Sequence, residues 1–150
     1  MAIGDFTVNA LGDAFREVHG QIRKVIGGMD REALNWTPVA DANSIAVLVN
    51  HTLGSEREML AGVRGLKVPR DRPSEFVIEA EAADLETMLD LADAWLDEQI
   101  GAMTSDDLTA ERPRGDRPPR PGLVWMLTNY GHTREHLAQM ELTKQLYLAS

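Results

Sequence analysis

Apolar residues recur at alternating spacings of three and four positions in four separate segments of this 150-residue chain. This spacing places side chains along one face of an α-helix, so it limits the possible folds more than any other sequence feature. The first segment shows the pattern clearly, with an apolar stripe formed by Leu11, Phe15, Val18, Ile22 and Val25. No segment sustains the alternation of apolar and polar residues that is typical of a strand. The pattern therefore predicts an all-α protein.

Capping and breaking residues set the expected helix boundaries. Gly27-Gly28 should end the first helix, because glycine adopts the left-handed conformation at low cost. Ser44 is a suitable N-cap for a second helix, and Asp84 is the predicted cap of a third. The fourth helix is expected after Pro121-Gly122, from about Leu123 to Tyr147. Four helices of this length in a chain of this size predict a four-helix bundle, with one domain covering residues 1–150.

The two longer connectors between the predicted helices place different limits on the fold. The segment 65–83 is rich in arginine and proline and is long enough to cross the whole bundle, so consecutive helices need not be antiparallel. The segment 111–122 holds four prolines and two glycines, a composition that excludes a helix or a central strand.

Composition narrows the class of protein and of partner. Hydrophobic residues make up 43% and charged residues 26% of the chain, values typical of a folded globular domain. The formal net charge of -9 would repel nucleic-acid phosphates and anionic lipids, so neither is an expected partner. The absence of cysteine excludes a disulfide scaffold, a Cys-ligated metal site and a cysteine nucleophile.

Membrane insertion and export are not expected. The longest apolar run, residues 45–49, is far shorter than the ~20 residues that a membrane-spanning helix needs. The first residues, Met1 to Asp5, contain neither a basic segment nor a long apolar one. We therefore expect a cytoplasmic location.

Three of the four histidines suggest a metal site. His132 and His136 are four residues apart on the fourth predicted helix, so both rings project from one face and could bind one ion. His51, beside the apolar stripe of the second helix, could supply a third nitrogen and leave one coordination position open to a substrate. The alternative is that the pair is solvated at the edge of the core. His19, one turn after Phe15, is interpreted as structural.

Other side chains on the His132 face predict the wall of a pocket. Trp125, Thr128 and Gln139 lie within about 40° of His132 around the helix axis. A mixture of polar groups and one tryptophan fits a binding surface, although a polar seam between two helices would look the same. Glu135, about 60° from His132, is the candidate proton acceptor in catalysis.

Two sequence elements resemble those of the DinB/YfiT-like proteins. The first precedes and opens the second helix and consists of Leu34-Asn35-Trp36-Thr37-Pro38, Asn43-Ser44-Ile45-Ala46, Leu48 and His51. The second is the last-helix pattern H-x-x-x-H-x-x-Q, formed by His132, His136 and Gln139. Order and spacing agree from about Leu11 to Leu146.

This resemblance implies a bundle with up-down-down-up topology and a long crossover between the second and third helices. It implies a divalent metal, commonly zinc or nickel, on His51, His132 and His136, and frequent homodimerisation. Characterised relatives include transferases and isomerases that use mycothiol, bacillithiol or glutathione, as well as metal-dependent hydrolases.

Three functions are consistent with these features. The first is a thiol-dependent S-transferase or isomerase acting on a small molecule, in which the metal deprotonates a low-molecular-weight thiol. The second is a hydrolase in which metal-bound water, with its pKa lowered to ~7, attacks the substrate and Glu135 accepts its proton. The third is a non-catalytic metal-binding stress-response protein.

The fourth helix has more apolar surface than one bundle core can cover. One stripe contains Leu123, Met126, Tyr130 and Leu137, and a second contains Val124, Leu127, Gly131, Ala138 and Leu142. A second copy of the chain is the simplest cover for the second stripe, so a homodimer is expected. The alternative is that this helix is central and wholly buried in the monomer.

Overall fold

A computed structural model describes residues 3–150. Met1 and Ala2, the first residues of the segment in which no export signal was found, lie outside that range. The elements are α1 (Ile3–Ile26), α2 (Arg31–Asn35), α3 (Ile45–Val63), a 3-10 helix (Pro73–Phe76), α4 (Ala82–Ala102), α5 (Ser105–Thr109), β1 (Glu111–Arg114), β2 (Arg117–Pro121) and α6 (Gly122–Ala149). The four predicted helices are α1, α3, α4 and α6, and the all-α prediction is confirmed.

The four long helices form a bundle in which α1 and α3 each pack between α4 and α6. Ion pairs show that α1 and α4 are antiparallel. Arg16 pairs with Asp97 at 2.8 Å, whereas Arg23, two turns later on α1, pairs with Asp90 at 2.9 Å, two turns earlier on α4.

Contacts of α6 complete the topology. Phe15 packs edge-on against Tyr130, and the later Val25 accepts a hydrogen bond from the later Lys144, so α1 and α6 run in the same direction. His51 meets His136, and the later Ser55 meets the earlier Asn129, so α3 runs in the opposite direction to α6. Arg57 lies over Trp95, and the later Arg64 donates to the later Gln99, so α3 is parallel to α4 and the chain must return through residues 64–81. The up-down-down-up topology with a long crossover is therefore confirmed.

The helix ends follow the capping predictions with one correction. Gly28 has a φ of 75° after the end of α1, and the Ser44 side chain accepts a hydrogen bond from the Val47 amide at the start of α3. Asp84 is not the N-cap of α4. Glu81 occupies that position, and Asp84, three residues later, accepts a hydrogen bond from the Glu81 amide at 2.9 Å. Asp84 thus closes the reciprocal half of a capping box.

The proline-rich segment forms a two-stranded antiparallel hairpin, with Arg112 opposite Arg120 and Gly115 at the turn with a φ of 59°. Prolines are tolerated because each strand has only one partner, so an amide is not needed on both sides. The absence of a central strand was predicted; the hairpin itself was not. The short helices α2 and α5 were also missed.

The core has two apolar clusters, one toward each end of the bundle. A cluster of three polar side chains, from His19, Glu56 and Asp93, lies between helices α1, α3 and α4. His19 is fully buried there, 2.8 Å from Glu56 and 2.6 Å from Asp93. Burial would lower the pKa of His19, but the two carboxylates outweigh it and raise the pKa above its ordinary value of 6.5. Between Ile3 and Ser150, no helix has both the length and the apolar composition that crossing a bilayer demands.

Candidate metal centre

Three histidines from two neighbouring antiparallel helices meet between α3 and α6, beside the crossover. His51 comes from α3, and His132 and His136 come from successive turns of α6. The ring centroids are 5.3 Å apart for His51 and His132, 5.1 Å for His51 and His136, and 4.3 Å for His132 and His136. One nitrogen from each ring lies within 4.8 Å of the other two. The structure thus brings the predicted triad together and places His19 elsewhere.

Oxygen atoms hold two of the rings by their Nδ1 atoms. Gln139 Oε1 lies 2.8 Å from His136 Nδ1, and Glu75 Oε1 lies 3.0 Å from His51 Nδ1. A ring that donates its Nδ1 hydrogen to such an oxygen keeps the Nε2 lone pair for a metal. His136 Nε2 is 2.9 Å from His132 Nε2, so these two nitrogens face one point.

The chemistry of the three rings fits a divalent metal. Two imidazole nitrogens at 2.9 Å need a proton or a cation between their lone pairs. Burial, followed by the charges of His136 and His51, lowers the pKa of His132 to about 4. Ligands must be neutral imidazoles, so a low pKa keeps His132 ready for a metal at neutral pH. Three nitrogen donors on two helices suit zinc and other first-row divalent ions.

Glu75, which the sequence analysis did not identify, connects the crossover to the triad. It is buried on the 3-10 helix, and Arg70 donates to its two oxygens at 3.0 and 2.9 Å. Burial would raise the pKa of Glu75, but Arg70 and His51 outweigh it and lower the pKa. The carboxylate therefore stays ionised opposite His51 Nδ1.

A glycine in α3 makes room for this carboxylate. A Cβ atom on Gly54 would overlap with Glu75 Oε2. Gly54 lies one turn after His51, and a glycine inside a helix often marks the close approach of another group. That glycine was the one sequence signal that could have pointed to Glu75 or to a group like it.

One side of the triad is open. Phe76 packs against the His51 ring with centroids 4.7 Å apart, while His132 and His136 are only partly buried. A ligand could therefore reach the facing nitrogens without unfolding the bundle.

The other predicted pocket residues occupy different surroundings. Gln139 contacts His136, as described. Trp125 is buried in the apolar cluster near the start of α6, where its Nε1 donates to the Arg112 carbonyl at 2.7 Å. Thr128 is exposed on α6. Ligand binding by Trp125, Thr128 and Gln139 stays a prediction.

Glu135 is exposed on α6, next to His136 in the chain. Within residues 3–150 its carboxylate makes no hydrogen bond or ion pair. The structure leaves it accessible, and its role as a proton acceptor stays a prediction.

Comparison with known proteins agrees with this architecture. The chain is similar to a DinB-like protein from Bacillus cereus ATCC 10987, with 17% identity over 91% of this chain and 90% of that chain and a TM-score of 0.76. It is also similar to a conserved protein from Enterococcus faecalis, with 15% identity over 95% of this chain and 97% of that chain and a TM-score of 0.78. At these identities the likeness shows the fold alone. No curated protein sequence matches the chain.

The family model of the DinB superfamily matches residues 14–140, which include all three histidines, the whole of α3 and α6 as far as Met140. The match covers most of the chain, and the bundle topology agrees with the solved structures. The resemblance inferred from the two sequence elements is thus confirmed: this chain belongs to the DinB superfamily.

Proposed function

We propose that this protein is a divalent-metal-dependent enzyme that uses a low-molecular-weight thiol to transfer or isomerise a small molecule. The observation that carries the proposal is the convergence of His51, His132 and His136, with two rings held in the metal-binding orientation by Glu75 and Gln139. Three protein ligands are typical of catalytic metal sites, whereas structural zinc sites usually have four.

Each residue of the site has a separate task in this proposal. His51, His132 and His136 would hold zinc or nickel, and Glu75 and Gln139 would fix two of the rings. A bound metal supplies Lewis acidity, which lowers the pKa of a thiol or water that it contacts. Since the chain has no cysteine, the thiol would come from a co-substrate of the mycothiol, bacillithiol or glutathione type.

A second candidate function, hydrolysis with water as the nucleophile, is favoured by the position of Glu135. Its exposed carboxylate is adjacent in sequence to a candidate metal ligand and has no partner within residues 3–150. Glu135 would then accept a proton from the attacking water. In the thiol reaction the same side chain could accept the thiol proton.

One experiment separates these functions. Protein purified without a histidine tag is analysed for bound metal, loaded with cobalt or nickel, and titrated with glutathione, bacillithiol and mycothiol. A change in the ligand-field spectrum followed by transfer to an electrophile supports the first proposal. Ester turnover without a thiol supports hydrolysis. Binding of a thiol without turnover on any substrate supports a non-catalytic role, and the absence of metal binding contradicts all three.

We also propose a homodimer through α6. In the first apolar stripe Met126 and Leu137 are buried and Leu123 and Tyr130 are half-buried. In the second stripe Leu127, Ala138 and Leu142 are exposed, Leu127 and Leu142 each by 54%. Covering this surface with a second copy would remove it from water. Sedimentation at micromolar concentration should give about twice 16.6 kDa. A monomer mass, or a dimer unchanged by Leu127→Glu, would contradict this interface.

A further inference from the structure

A cavity of about 650 Å³ lies between the end of α3, the start of the crossover and the β-hairpin. Its volume is in the range of small-molecule sites. Three basic side chains line it, from Lys67, Arg112 and Arg114, together with the carboxylates of Glu58 and Asp116. None of the three histidines lines this cavity.

At Gly65 the start of the crossover comes close to the β-hairpin in the wall of this cavity. Gly65 has a φ of 73°, which glycine adopts without strain. The guanidinium of Arg112 packs closely against it, with Nε 3.2 Å from the position that a Cβ would take. Arg112 also hydrogen-bonds to the Val63 carbonyl, so the hairpin is fixed against the end of α3.

Arg114 is the most unusual group in the cavity wall, because its charge is buried and only partly compensated. The residue is 7% exposed, and its Nη2 donates to the carbonyl and hydroxyl oxygens of Ser55 at 3.0 and 2.7 Å. Its nearest carboxylate oxygen, Glu58 Oε1, lies 3.4 Å from Nε, which makes no hydrogen bond. The same Glu58 oxygen also accepts a hydrogen bond from Arg70 Nη1 at 3.3 Å.

An incompletely paired buried charge is costly, by several kcal/mol in general. Burial lowers the pKa of Arg114, and the positive charges of Arg117 and Arg70 add to this lowering, while Glu58 opposes it. The surroundings of Arg114 therefore favour an additional negative charge.

The charge distribution of the whole chain points to the same place. Residues 64–72 and 111–120 contain eight of the 15 basic residues but only three of the 24 acidic ones. The protein is strongly acidic elsewhere, so an anion would be attracted to this face of the molecule. The basic residues are Arg64, Lys67, Arg70, Arg72, Arg112, Arg114, Arg117 and Arg120.

Hydrogen bonds place this cavity next to the histidine site. Ser55, which holds Arg114, also accepts a hydrogen bond from Asn129 at 3.0 Å. Ser55 lies one turn after His51 on α3, and Asn129 lies one turn before His132 on α6. Arg114 is therefore anchored about one helical turn away from the candidate metal ligands.

We propose that this cavity binds the carboxylate or phosphate group of a small anionic molecule, with Arg114 as its main partner and Lys67 at its mouth. The assignment of that molecule as a substrate or co-substrate rests on the proposed function, since its reactive end would extend toward the histidines. Binding of the anion itself requires no metal.

The test is calorimetric titration of the metal-free protein with succinate, inorganic phosphate and uncharged succinamide. Succinate or phosphate should bind saturably and succinamide should not, and the tighter of the two anions identifies the preferred group. Arg114→Gln should weaken binding about tenfold or more, because it removes a charge-assisted hydrogen bond. Lys67→Gln should weaken it about threefold, as expected for a solvated charge.

Lys24→Gln is the matched control, because it removes the same charge from an exposed position on α1. Absence of saturable binding at millimolar anion, or equal weakening by Lys67→Gln and Lys24→Gln, overturns the proposal. If Arg114→Gln does not fold, the comparison of Lys67→Gln with Lys24→Gln tests the proposal. Because metal is absent throughout, failure of the metal centre leaves this result intact, and failure of the anion site leaves metal binding intact.

Discussion

The imidazole rings differ in how they are held, and the loss of each ligand can be tested separately. Replacing His51, His132 or His136 by alanine should weaken metal binding by more than about 100-fold, beyond the 10–100-fold typical of losing an outer partner. The bundle should remain folded, because its apolar clusters do not involve these residues. Metal stoichiometry and affinity of the three variants at neutral pH provide the measurement.

His19→Gln is the control for these variants, since His19 lies among Glu56 and Asp93 and outside the triad. Full metal occupancy in His51→Ala would show that the third ligand is another residue. Loss of metal in His19→Gln would show that the site extends through the core.

Glu75 should act as a positioning residue through its contact with His51 Nδ1. Glu75→Gln keeps the size of the side chain but removes the charge, so we expect metal affinity to fall about tenfold. Glu58→Gln is the matched control. It removes the other carboxylate beside Arg70, and within the described range Glu58 forms no ion pair with a histidine. Equal metal affinity in Glu75→Gln and wild type would contradict this role, and an equal fall in both variants would indicate a general charge effect.

At the scale of elements, the crossover comes closest to the α3 backbone at Gly54. Gly54→Ala should lower the free energy of unfolding, because its Cβ would displace a Glu75 carboxylate that Arg70 and His51 hold in place. Gly20→Ala, where a Cβ has no neighbour within 4 Å, should instead raise it by about 0.5–1 kcal/mol. Urea unfolding of both variants gives the comparison. Stabilisation by both substitutions would mean that the crossover moves aside freely.

The secondary-structure elements on which the site residues lie explain why some of these residues could be predicted from the sequence and others could not. His132, His136 and Gln139 were identified because helical spacing fixes which residues share a face. His51 was identified from its place beside the apolar stripe of its own helix and from the family resemblance. Glu75 lies in a connector without periodicity, and its position depends on how the crossover folds back on α3. The missed hairpin has the same explanation: its prolines excluded regular structure in general but did not specify a pairing.

At the scale of the whole molecule, the buried His19 should make stability depend on pH. Its pKa is raised in the folded state, so the stabilisation is fully present below pH 6.5 and is lost as pH rises through the folded pKa. The free energy of unfolding of the metal-free protein should therefore fall as the pH rises above 6.5. Urea titrations across this range measure it, and an NMR pKa for His19 at or below 6.5 would contradict it.

The parallel arrangement of α3 and α4 has a consequence for the order of synthesis on the ribosome. α3 cannot pair with its antiparallel neighbour until α6 has emerged, and His132 follows His51 by roughly eighty residues. A nascent chain that ends before α6 leaves the α6-facing side of α3 uncovered and contains a single histidine of the triad. The proposed metal site therefore cannot assemble until the last helix closes the bundle.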